Sequence, residues 1–76
     1  MNVTPDEIFL ILKSAGISVD IAKISNETIL RKAGVDSLDM MNILLSLEEK
    51  YCVKIPDSEA LKLDSVNSIV EYLRRR

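Results

Sequence analysis

Polar and apolar residues alternate along this chain with helical spacing in three places. The first begins at Thr4-Pro5-Asp6-Glu7, which has the form of a capping box. Thr4 stands at the N-cap, Pro5 at the first helical position, and Glu7 reaches back from the third. Ile8, Ile11, Leu12 and Ala15 then fall on one face at spacings of three and four. Gly16 is a natural C-terminal stop, so the pattern predicts a helix over residues 5–15. The second helix starts at Asp36-Ser37-Leu38-Asp39, with Asp36 as N-cap. It runs through Leu38, Met40, Met41, Ile43, Leu44, Leu45, Leu47 and Tyr51 without a breaker. At about 15 residues it spans roughly 22 Å, and its apolar surface is wider than the single stripe a surface helix needs. Pro56-Asp57-Ser58-Glu59 opens a short third helix of one or two turns, ending near Lys62. Asp64 or Ser65 caps the last helix, where Val66, Ile69, Val70 and Leu73 share a face.

Residues 17–35 have no clear period. Ile17, Val19 and Ile21 alternate with polar residues, but no second β pattern offers a partner. The segment reads as a long loop whose Ile and Leu side chains return to the core, with a short helical turn beginning at Ser25-Asn26-Glu27-Thr28. A loop this long in a small domain is usually functional. The expected architecture is all-α: a small four-helix bundle of three main helices, a short third one, and a long loop between the first two.

Composition narrows the function. The 76 residues allow one domain, residues 1–76, near the lower size limit for an independent core. There is no His and one Cys. His-based general bases, nucleophilic triads and His/Cys metal sites are therefore ruled out, and no metal is expected. Cys52 has no base to activate it, and reads as a small buried hydrophobe. No pair of carboxylates has a spacing that assigns acid and base roles, so the chain is not expected to be an enzyme. The net charge of −2 lacks the cationic excess that nucleic acid requires. No apolar run approaches the length of a membrane span, no basic leader precedes the first helix, and a lone Cys fits a reducing cytoplasm. The basic tail Arg74-Arg75-Arg76 reads as a solvated end that complements its helix dipole.

Ser37 differs from the other polar residues. If Asp36 caps the second helix, Ser37 is its first residue and its hydroxyl is free at an end that favours anions. A phosphate ester there would be well placed; the plain alternative is that Ser37 itself is the cap.

Gly34-Val35-Asp36-Ser37-Leu38-Asp39 strongly resembles the prosthetic-group site of acyl carrier proteins. Leu47-Glu48-Glu49-Lys50-Tyr51, Ile55-Pro56-Asp57 and the sequence through Val70-Glu71-Tyr72-Leu73 resemble later stretches of that family in order. The likeness is close over residues 24–73. It implies that a phosphopantetheinyl transferase attaches 4′-phosphopantetheine from coenzyme A to Ser37, and that the arm's thiol carries acyl groups as thioesters. It also implies a cytoplasmic monomer that shelters the acyl chain between its helices and presents it to acyl-synthesising and acyl-transferring enzymes. Asp36, Asp39 and Glu48 match acidic positions that meet basic patches on partners. Leu38, Met41 and Leu45 match apolar positions used for partner contact and for the mouth of the acyl pocket. With Ile43, Leu44, Leu47 and Tyr51 available for the buried side, these three are expected to be exposed.

The departures from the family are specific. Arg31-Lys32-Ala33 replaces a stretch that is usually acidic and then Leu. Asn42, Lys50 and Leu61 stand where acids are common. These changes point to specialised lipid or polyketide biosynthesis rather than general fatty-acid synthesis. Two alternatives stand beside this reading. One is an aminoacyl, peptidyl or D-alanyl carrier, disfavoured by Val35, Asp36 and Asp39. The other, of a different class, is a small helical interaction adaptor without a prosthetic group.

Overall fold

The computed structural model describes residues 2–76. Four α-helices follow one another: α1 (Pro5–Ser14), α2 (Ser37–Tyr51), α3 (Asp57–Ala60) and α4 (Val66–Arg74), with a 3₁₀ turn at Ile21–Lys23 in the long loop after α1. There is no strand among the described residues, and none of their helices is long and apolar enough to cross a membrane.

Local chemistry sets the helix ends. At α1 the Glu7 N–H donates to Thr4 Oγ1 at 3.4 Å and the Thr4 N–H donates to Glu7 Oε2 at 3.2 Å, so the capping box is complete. The helix stops one residue earlier than its apolar pattern, with Ala15 as C-cap and Gly16 at φ 69°, a left-handed conformation that glycine adopts without a Cβ clash. At α4 a second box forms between Ser65 and Ser68. α3 has one turn and no side-chain cap, and Leu61 already lies outside it.

One core joins these elements. α1 packs on both α2 and α4. Ile8, Leu12, Ile43, Leu47, Ile69 and Leu73 are fully buried between them. At about 25 cal/mol per Å² of apolar surface, each such side chain contributes on the order of 1.5–3 kcal/mol. That burial must offset the conformational entropy of a chain with little interior to spare. Polar ties add registry. The Tyr51 hydroxyl at the end of α2 donates to Glu7 Oε2 at 3.3 Å, the same oxygen that closes the α1 cap. Partial burial, with the neighbouring Glu7 carboxylate, raises the Tyr51 hydroxyl above its ordinary pKa.

The long loop does what its apolar residues imply. Ile24, Leu30 and Val35 are buried, and Ile17, Val19 and Ile21 pack against the core. Two expectations need correction. Ser25–Thr28 is a hydrogen-bonded turn, closed by Thr28 N–H to the Ser25 carbonyl at 3.2 Å, and not the start of a helix; the helical turn lies earlier, at Ile21–Lys23. Cys52 is exposed, not buried. It takes the left-handed C-cap of α2 (φ 54°, ψ 46°) while its N–H bonds the Glu48 carbonyl, so the chain turns outward there.

The basic tail is exposed but engaged. Arg74 Nε donates to the Val3 carbonyl at 2.9 Å, Arg75 pairs with Glu71 at 2.8 Å, and Arg76 donates to the Lys54 carbonyl at 3.2 Å and lies over the Tyr72 ring. The exposed Arg75–Glu71 pair stabilises little. The Arg74 bond ties the two ends of the chain together.

Leu47 and Leu45 test this division of α2 into two faces. Leu47→Ala is expected to cost about 2–5 kcal/mol in urea denaturation because it leaves a core cavity. Leu45→Ala on the outer face is expected to change stability by about 0.5 kcal/mol or less.

Candidate functional site

The start of α2 is assembled from the loop before it. The Leu30 side chain is fully buried. Its N–H donates to the Asp64 carbonyl at 2.8 Å, and its own carbonyl accepts the N–H of Ala33 at 3.1 Å and of Val35 at 3.0 Å. A second tie, Asn67 N–H to the Asn26 carbonyl at 3.0 Å, fixes the same loop to the beginning of α4. Gly34, at φ 106°, turns the chain with a conformation closed to residues bearing a Cβ. Val35 then inserts into the core, and Asp36 starts the helix.

Asp36 is the N-cap. Its Oδ1 accepts the Asp39 N–H at 2.8 Å, and its carbonyl accepts the Met40 N–H at 2.9 Å. Ser37 is therefore the first helical residue and is exposed. Its hydroxyl enters no hydrogen bond among the described residues, so it is available for substitution. The orphan N–H groups and the dipole at this end favour a negative group nearby.

A cavity of about 470 Å³ opens beside Ser37. Its apolar walls come from Leu30, Met40, Met41, Leu44, Ala60 and Leu63, while Asp36 and Arg31 border it near Ser37. A second hollow, of about 510 Å³, continues along α2 toward Ile55 and shares Met41, Leu44, Asp57 and Ala60 with the first. The two form a groove between α2 and α3 with Ser37 at one end.

Leu38, Met41 and Leu45 are exposed as expected, at 65%, 57% and 49%. On the opposite side Ile43 and Leu47 are fully buried, while Leu44 and Tyr51 are half-buried. The acidic positions divide. Asp36 is exposed. Asp39 is only 9% exposed and does not flank Ser37 on the surface. Its Oδ2 accepts the Ser18 hydroxyl at 3.2 Å, so it turns inward to hold the start of the loop. Glu48 is half-buried and its Oε2 accepts the Ile55 N–H at 2.8 Å, fixing the link between α2 and α3. Sequence spacing carries no trace of either bond, because the partners come from other elements.

Arg31 at the cavity edge is the contributor that motif reading left without a role. Leu61, 75% exposed, stands on the α3 side of the same cavity and extends the apolar rim beyond α2.

Comparison with known proteins bears on this geometry directly. Residues 10–73 match the family model described as the phosphopantetheine attachment site. The chain is 38% identical over 73 residues to an acyl carrier protein of Campylobacter hominis, covering 96% of this chain and 91% of that one. It is 43% identical over 60 residues to the acyl carrier protein of Campylobacter concisus, covering 78% of each chain. For the acyl carrier protein of Campylobacter lari the identity is 33% over 73 residues, covering 96% of this chain and 94% of that one. The chain belongs to the phosphopantetheine-binding acyl carrier family. Its cofactor is therefore a covalently attached 4′-phosphopantetheine. The start of α2 fits such a group: a free, exposed hydroxyl on a capped helix end, beside a mostly apolar groove.

The cap is the part of this carrier's site most open to measurement. Asp36→Ala is expected to lower stability by about 1 kcal/mol (range roughly 0.5–2), and Asp36→Asn, which keeps the accepting oxygen, by much less. Urea denaturation of the two variants checks this.

Proposed function

We propose that this chain is one carrier domain, residues 1–76, that holds acyl intermediates as thioesters on 4′-phosphopantetheine attached at Ser37. The observation that carries the assignment is the exposed Ser37 hydroxyl at the first position of α2, opening onto the apolar groove. The bound group supplies the thiol. The chain supplies the rigid base, the groove in which an acyl chain is sheltered, and the surface that partners read. Acyl carrier proteins are carriers rather than catalysts, and nothing in this site asks the protein for a proton transfer or a nucleophile.

A phosphopantetheinyl transferase loads the protein from coenzyme A, and acyl-synthesising and acyl-transferring enzymes then use it, with the carrier acting as a cytoplasmic monomer. Arg31 at the groove edge, neutral Asn42 on α2 and apolar Leu61 after α3 support a dedicated set of partners in specialised lipid or polyketide synthesis. A partner that reads an acidic α2 finds fewer free carboxylates on this surface, because Asp39 is buried against the Ser18 hydroxyl and one oxygen of the half-buried Glu48 accepts the Ile55 N–H.

Incubation with coenzyme A, Mg²⁺ and a broad-specificity transferase is expected to add the mass of one 4′-phosphopantetheine. Ser37→Ala is expected to abolish that gain while leaving the helical circular dichroism unchanged. Absence of any gain in the unmodified chain contradicts the carrier reading. The loaded protein is further expected to be a poor substrate for general fatty-acid ketosynthases, and elongation as efficient as that of an ordinary carrier contradicts the pathway assignment.

A further inference from the structure

The wall of the groove opposite α2 is α3 with the link on either side of it. Ile55 and Leu63 are buried at its two ends, but no side chain over residues 56–62 is buried. α3 itself is a single turn without a side-chain cap. A span with so little apolar burial opens at low cost, so its polar ties decide where it sits. Glu59 supplies one from the middle of the span. Its Oε2 accepts the Tyr72 hydroxyl of α4 at 2.5 Å, the length of a charge-assisted bond. This bond holds the Tyr72 hydroxyl above its ordinary pKa, with burial adding to the effect and Arg76 opposing it. Arg76 extends the tie into a chain. Its Nη1 donates to the Tyr72 hydroxyl oxygen at 3.3 Å, its guanidinium lies 5.6 Å from the ring centre, and its Nη2 donates to the Lys54 carbonyl at 3.2 Å. A hydroxyl that accepts from a cation donates more strongly to a carboxylate. The end of α4 thus grips both α3 and the link before it. Asp57 and Ala60 line both hollows of the groove and Lys54 lines the second, whereas Glu59, Tyr72 and Arg76 line neither. These three residues stand outside the groove and can change it only by moving its wall.

We propose that Glu59, Tyr72 and Arg76 are positioning residues for the carried acyl chain: they latch α3 to α4 and thereby hold the groove closed over that chain. The role rests on the carrier reading of Ser37. A thioester whose chain lies in the closed groove is drawn back from solvent, whereas an acyl group too short to enter the groove is not. Loosening the latch therefore raises the lability of the longer thioester alone.

The test loads the full chain from octanoyl-coenzyme A or acetyl-coenzyme A with a broad-specificity transferase. Thioester cleavage by hydroxylamine is then followed, each rate taken relative to the same acyl-coenzyme A free in solution. Tyr72→Phe keeps the ring and removes the hydroxyl. It is expected to raise cleavage of the octanoyl carrier about fivefold and to leave the acetyl carrier unchanged. Glu59→Ala is expected to give the same change, and the double variant no more than either alone, because both remove one bond. Amide exchange is expected to quicken about tenfold at Ala60 and Lys62, whose N–H groups bond the Pro56 and Glu59 carbonyls, while Leu47 and Ile69 stay unchanged. Equal acceleration of both cargoes, or of neither, overturns the latch and leaves the carrier reading intact. An octanoyl carrier no better protected than the acetyl carrier in the unmodified chain overturns the sheltering groove and the latch with it. Failure to load at all overturns the carrier reading itself.

Discussion

The position of Ser37 depends on the seating of Leu30. That residue buries its side chain completely and gives its N–H to the Asp64 carbonyl, and its carbonyl holds the N–H groups of Ala33 and Val35. One residue therefore joins the long loop to the approach to α4 and closes the turn that launches α2. Besides it, the loop is placed by the Asn67–Asn26 bond, the Asp39–Ser18 bond, the buried Ile24 and Val35 side chains and several half-buried ones. A carrier needs a fixed base for a flexible arm. Here the base is a loop made rigid by backbone hydrogen bonds to another element, with a capped helix built on its end.

The acids of α2 illustrate how one residue type serves two ends. Asp36 is exposed and caps the helix, Asp39 is buried against the loop, and Glu48 secures the link to α3. Asp39 is withdrawn from the surface of α2 and Glu48 is partly so, while Glu49 stays exposed near its end. What remains outward over the first two-thirds of α2 is neutral, with Leu38, Met41 and Leu45 its large side chains. Of the large apolar side chains left exposed, Leu38, Met41, Leu45 and Leu61 lie on α2 and just after α3, on the side of the Ser37 groove, and Leu10 lies on α1.

Much of this was legible in the sequence where the signal is local. Thr4 with Glu7, Asp36 before Ser37, and Ser65 before Val66 are caps whose partners lie within three residues, and each sets a helix start. The spacing of Val66, Ile69, Val70 and Leu73 assigns the buried face of α4 without ambiguity, and all four are buried. The split of α2 into Ile43 and Leu47 inside and Leu38, Met41 and Leu45 outside followed from counting which residues the core could take. The proposal of Ser37 as the attachment residue followed from a motif joined to a helix start, and the structure has that serine exposed at the first position of α2. What was not legible depends on distant partners. Asp39 is buried by a hydroxyl 21 positions away, and Glu48 is held by an amide from the following link. Cys52 takes a left-handed cap with no glycine to announce it. The tail arginines reach carbonyls of Val3 and Lys54 that only the folded bundle brings near.

The loop before α2 is a rigid seat for Ser37, and amide hydrogen exchange measures that rigidity residue by residue. The Leu30, Val35 and Asp39 amides, all hydrogen-bonded in the fold, are expected to exchange within about tenfold of the core amides of Leu47 and Ile69, reporting opening only with global unfolding. Exchange of Leu30 and Val35 as fast as the exposed turn at Asn26 and Glu27 would show the loop opening on its own, and would contradict the account.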